Sequence, residues 1–140
     1  MSRFVLDASV TLCWCFENQA SDYSEYIFER MAAGDEASVP FVWPLEVANA
    51  LVRAERMKTL KVAQVAGFLG ELNAWPIQVD TVGVTRAFQQ ILSAARELHL
   101  SAYDAAYLEL AIREGLPLAT PNNDLRKAAR TAGVKITTAK

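Results

Sequence analysis

Short apolar runs alternate with longer helical patterns along the whole chain, and nothing else in the sequence restricts the fold as much. FVL (4–6), ASV (37–39), PIQV (76–79), LPLA (116–119) and VKI (134–136) have the length of strands. Helical patterns fill the intervals at roughly 10–16, 22–33, 44–57, 61–73, 83–98, 102–114 and 123–132, and Gly34, Gly115 and Gly133 stand where helices end. Strands separated by helices predict an α/β fold with a parallel sheet covered by helices. In such sheets polar groups at the carboxyl ends of strands converge on a crevice, so the acids at those ends are the candidates for chemistry.

At 140 residues, with no repeat and no low-complexity tract, the chain reads as one domain, 1–140, able to bury a core without disulfides. No apolar run approaches the roughly 18 to 20 residues of a membrane-spanning helix. The start, MSRFVLDASV, meets Asp7 too early for a signal-peptide core. The expectation is a cytoplasmic protein without a membrane partner. Cys13 and Cys15, two apart, point to different helix faces and suit neither a disulfide nor zinc, so they read as small buried residues. The single His99 carries no metal reading. A net charge of −2 excludes a general nucleic-acid coat and leaves room only for a local patch.

Asp7 follows the first strand directly, where it or Ser9 can cap the next helix or offer a carboxylate to the crevice. Glu46 lies in WPLEVANALVRAERM, with Pro44 suited to a first helical turn. On a helical period Leu45, Ala48, Leu51 and Val52 share one stripe, and Glu46, Asn49 and Arg53 another, which reads as either a solvated face or a polar cluster. Asp104 sits in SAYDAAYLELAI, apolar almost all round and therefore a buried helix. A carboxylate there needs a cation or donors, and Ser101 at S-x-x-D spacing offers a capping box as the competing explanation. LATPNNDLRKAA closes the set: Thr120 at a strand end, then Asn122, Asn123 and Asp124 starting a helix.

LDASV, PLEVANAL, SAYDAAYLELA and LATPNNDLRKAA, in this order across the chain, resemble the PIN domain, and more closely its VapC-type toxins of bacterial toxin–antitoxin pairs. The resemblance implies a three-layer α/β/α sandwich whose acids hold Mg²⁺ or Mn²⁺ and hydrolyse RNA. It places Asp7 and Asp104 at the metal-binding aspartates, Glu46 at the motif glutamate, and Ser9, Asn49 and Thr120 on polar positions lining the pocket. The family commonly has an aspartate where this chain has Asn122, an amide that adds no charge and cannot act as a base. Asp124 stands two residues on as a replacement. A small antitoxin and a homodimer are further implications.

Clustered carboxylates repel one another, and a hard divalent cation compensates that repulsion while acidifying a water for attack on phosphate. The corresponding roles are ligation by Asp7 and Asp104, ligation or water orientation by Glu46, and positioning by Ser9, Asn49, Thr120, Asn122, Asp124 and Arg53. Two alternatives stand beside this. A haloacid dehalogenase phosphatase also begins with a strand and an aspartate, but Ser9 occupies the place of its second acid. A PIN-like module weakened in catalysis by Asn122 and kept for binding is the other.

Overall fold

A computed structural model describes residues 2–139. Four strands, β1 (Arg3–Leu6), β2 (Glu36–Val39), β3 (Ile77–Val79) and β4 (Leu118–Ala119), form one sheet in the order β3-β2-β1-β4, and every strand pair is parallel. The fifth run, VKI, supplies an isolated parallel bridge from Ile136 to Leu118, whose amide donates to the Lys135 carbonyl oxygen at 2.9 Å and whose carbonyl oxygen accepts from the Thr137 amide at 2.9 Å. Seven α-helices accompany the described strands: α1 (Ala8–Cys15), α2 (Asp22–Ala32), α3 (Trp43–Arg56), α4 (Val62–Asn73), α5 (Leu92–Leu98), α6 (Ala102–Glu114) and α7 (Asn123–Thr131). None is long and apolar enough to cross a membrane.

The chain lays β2 and β3 on one side of β1 and then returns across it to place β4 on the other. Because right-handed crossovers are the rule, this reversal puts the α5–α6 connection on the sheet face opposite the two earlier ones. The reversal opens the crevice between the carboxyl ends of β1 and β4. Phe4, Val5 and Leu6 of β1 are fully buried and join Ile27, Val39, Leu108, Leu118 and Leu125 in the main core. Gly115 caps α6 with a left-handed φ of 66°, as a helix-stopping glycine should.

Three expectations from periodicity are corrected. The pattern over 83–98 is not one helix but a 3₁₀ turn (Gly83–Arg86), a π turn (Ala87–Ile91) and α5. Arg86 bonds Glu109 of α6, and Ile91 is buried against Ala105 and Ala106 of the same helix. Residues five apart face one side when the turn widens to π and face well apart in an α-helix. On α3 the buried stripe is Trp43, Val47, Leu51 and Ala54, whereas Leu45, Ala48 and Val52 are exposed. Only Leu51 belongs to both, so the expected stripe was rotated toward the side on which α3 meets α4. Cys13 and Cys15 are free and half-buried rather than fully buried, at the C-terminal end of α1, and burial raises both thiols' pKa values.

Candidate active site

The register of the two central strands sets the first contact. Leu6 pairs with Ala119, so the next residues, Asp7 and Thr120, leave the sheet side by side. The Thr120 hydroxyl donates to Asp7 Oδ2 at 2.6 Å, and the Ser9 backbone amide donates to Asp7 Oδ1 at 3.2 Å. Asp7 is thus the N-cap of α1, and the capping explanation is correct. It is not a sufficient explanation, because each carboxylate oxygen has a second lone pair. Ser9 contributes its backbone amide while its side chain is exposed.

Glu46 lies in the first turn of α3 and reaches a partner the sequence reading passed over. The Tyr107 hydroxyl, from fully buried Tyr107 on α6, donates to Glu46 Oε1 at 2.7 Å and accepts from the Ala8 backbone amide at 3.1 Å. One phenol therefore ties the exit of β1, α3 and α6 together. The signal was present: a tyrosine three residues after Asp104 on a buried helix shares its face and must find a partner for its hydroxyl. Counting it as apolar hid it. Burial raises the Glu46 pKa, opposed by the Tyr107 hydrogen bond and reinforced by the charges of Asp7 and Asp104. Burial and the charges of Asp7 and Glu46 push the Tyr107 hydroxyl far above its ordinary value, so it remains a donor.

Asp104, in the first turn of α6, is half-buried. Ser101 Oγ accepts from the Asp104 amide at 3.0 Å, but the reciprocal half of the expected capping box is not formed. Among the described residues the Asp104 carboxylate accepts no hydrogen bond and pairs with no cation. Its pKa is raised by burial, then by Asp7 and Asp124. Asn122 is the N-cap of α7, its side-chain oxygen accepting from the Leu125 amide at 3.0 Å. Asp124 follows in the first turn, exposed and close enough to act on Asp104. The amide at 122 serves the helix, and the acid two residues on faces the pocket's charge.

Asp7, Glu46, Asp104 and Asp124 thus each occupy a cap or first turn of a different helix, where the backbone's positive end favours negative charge. No lysine or arginine forms an ion pair with any of them among the described residues. Asn49 and Arg53 lie further along α3, exposed, with no hydrogen bond to these acids. Among the described residues no group of three His, Cys, Asp or Glu side chains is placed to hold a metal ion by itself. The donors fit a hard cation that keeps its waters: all are oxygens, and Asp104 has no protein donor to displace.

Residues 4–131 match the family model of the PIN domain. This chain belongs to the PIN domain family. The fold of this PIN domain is similar to PAE2754 from Pyrobaculum aerophilum, at 23% identity and a TM-score of 0.65 over 91% of this chain and 79% of that one. It is likewise similar to a chain of VapBC2 from Rickettsia felis, a structure bound to a DNA fragment from their promoter, at 14% identity and a TM-score of 0.70 over the whole of both chains. At these identities the likeness is one of fold. No curated protein matches the chain. PIN domains are typically metal-dependent nucleases, and the phosphatase alternative falls with the family assignment.

Proposed function

We propose that this PIN domain, one unit over residues 1–140, is a Mg²⁺- or Mn²⁺-dependent endoribonuclease acting as the toxin of a toxin–antitoxin pair. The observation that carries the proposal is Asp104: a half-buried carboxylate with raised pKa, without a hydrogen bond, beside two further acids and no cation. Such an arrangement is unfavourable in isolation and becomes favourable around a divalent ion.

In this reading Asp7 and Asp104 would hold the metal, which when bound would supply positive charge to offset that of the phosphate and would lower the pKa of a water. Thr120 and the Ser9 amide fix the plane of the Asp7 carboxylate. Tyr107 holds Oε1 of Glu46, leaving Oε2 to orient the attacking water and accept its proton, a role that a raised pKa favours. Asp124 supplies the charge that Asn122 lacks, while Asn49, Asn122 and Arg53 line the approach of the RNA.

An apolar groove of about 480 Å³ between α3 and α4, lined by Trp43, Val47, Leu51, Leu69, Leu72 and Trp75, contains none of these acids. It supports a protein partner, for which a small antitoxin is the proposal; homodimerisation is proposed on the resemblance alone. The second reading, a PIN-like module weakened in catalysis, is favoured by one observation, the use of the Asn122 oxygen as a helix cap.

The test is cleavage of single-stranded RNA by the purified protein with Mg²⁺ or Mn²⁺, with chelator, and with Asp104→Asn. Cleavage that requires the metal and is lost in the variant is expected. Cleavage indifferent to both chelator and substitution would sink the proposal.

A further inference from the structure

Arg126, on α7, is turned inward toward Thr120 and Tyr23. Its Nε donates to the Thr120 carbonyl oxygen at 2.6 Å, and its guanidinium carbon lies 4.7 Å from the centre of the Tyr23 ring. Tyr23, on α2, is itself fixed from the far side, its hydroxyl donating to the Thr137 carbonyl oxygen at 2.7 Å. Arg126 forms no ion pair with an acid among the described residues, so its position is set by the Tyr23 side chain and by one carbonyl.

What that carbonyl belongs to gives the contact its meaning. Thr120 is fully buried, and its hydroxyl has one proton to place. The Asn122 amide donates to Thr120 Oγ1 at 3.1 Å, which occupies an acceptor site and leaves the proton directed at Asp7 Oδ2, 2.6 Å away. The backbone of Thr120 therefore decides how the Asp7 carboxylate is turned, and Arg126 holds that backbone.

We propose that Arg126, stacked on Tyr23, is a positioning residue that acts through Thr120 to orient the Asp7 carboxylate for metal binding. This rests on the nuclease reading above. A phosphate contact is the competing role for an arginine at such a rim, and the two differ in what they disturb. Loss of a phosphate contact raises KM and spares metal affinity. Loss of positioning weakens the metal and lowers kcat at unchanged KM.

The experiment uses the full chain with Mn²⁺ as the probe. Mn²⁺ affinity is measured by titration calorimetry, and kcat and KM on single-stranded RNA, for wild type, Arg126→Met, Arg126→Lys, Thr120→Val and the Thr120→Val/Arg126→Met pair. Partners behind a metal ligand are typically worth about 10- to 100-fold in metal affinity or activity, and a loss in that range is expected for Arg126→Met. Lysine should not rescue it, because it keeps the charge without the stacked plane and Nε. The double variant should be no worse than Thr120→Val alone, since both act on one contact. Should Arg126→Met fail to fold, Arg126→Lys and Tyr23→Leu carry the same comparison. Unchanged Mn²⁺ affinity, a rise in KM alone, or additive losses in the double variant would each overturn the proposal while leaving the nuclease reading intact. A wild-type protein that neither binds Mn²⁺ nor cleaves RNA overturns both, and is recognised because the failure precedes any substitution.

Discussion

Two groups of acids in this molecule are treated in opposite ways. Asp80 and Glu109 meet Arg113, which donates to both Asp80 oxygens at 3.1 and 2.7 Å and to Glu109 at 2.9 and 3.0 Å, while Arg86 adds a bond of 2.8 Å to Glu109. There every carboxylate has its guanidinium. The charges of Asp7 and Asp104 act on Glu46, those of Asp7 and Asp124 act on Asp104, and among the described residues none of the four has a paired cation. Burial raises the pKa in both places. At Asp80 the hydrogen bonds from Arg113 and the Gly83 and Val82 amides, with the Arg113 charge, outweigh it and leave the pKa lowered; at Asp104 neighbouring acids add to it. One set serves the fold, clamping the exit of β3 to α6, and the other is left short of positive charge for a ligand to supply.

The largest expected effects come from removing what each group depends on. Arg113→Met strands two mostly buried carboxylates, one of which keeps Arg86, and should destabilise the protein by about 3 kcal/mol in chemical denaturation. Asp104→Asn should do the reverse, leaving the metal-free protein as stable as wild type or up to about 1 kcal/mol more stable. RNA cleavage by that variant should fall about a hundredfold or more, since the metal is worth several kcal/mol in the transition state. If both substitutions destabilise alike, the contrast between the two groups is broken.

A smaller effect separates them by pH. Glu46 and Asp104 have folded pKa values above the ordinary carboxylate range, so their contribution to stability is present at low pH and is lost as pH rises through those raised values. Asp80 is lowered, so its contribution is present above its ordinary value and is lost as pH falls through the lowered one. Metal-free protein should therefore gain stability on mild acidification from neutrality, then lose it in stronger acid, as followed by thermal midpoint. In Asp104→Asn the first gain should shrink.

The smallest effect is expected at Asn122→Asp. Aspartate caps a helix as well as asparagine, so stability should change by less than about 1 kcal/mol. With Asp124 already beside Asp104, cleavage should rise by no more than a few-fold. A large rise would favour the weakened-module reading.

The same two groups differ in how far the sequence discloses them. Asp7, Glu46, Asp104 and Asp124 are legible because they follow strands or open helices, and an α/β chain places those points at one edge of its sheet. The Asp80–Arg113–Glu109–Arg86 cluster joins residues 33 and 23 positions apart, with no local pattern to announce it. Tyr107 was missed for a different reason: apolar periodicity reports where a ring is buried and says nothing of where its hydroxyl goes. The π turn over Ala87–Ile91 was missed because the contacts that widen it lie on another helix. Asn122 was legible in kind, as a helix starter, but its consequence depended on where Asp124 stands.

The central claim concerns the lack of positive charge among four acids, and calorimetric titration of Mn²⁺ into metal-free protein near neutral pH addresses it directly. The account expects saturable binding by wild type that raises the unfolding midpoint, with both effects lost in Asp104→Asn. No binding by wild type, or equal binding by wild type and Asp104→Asn, would contradict it.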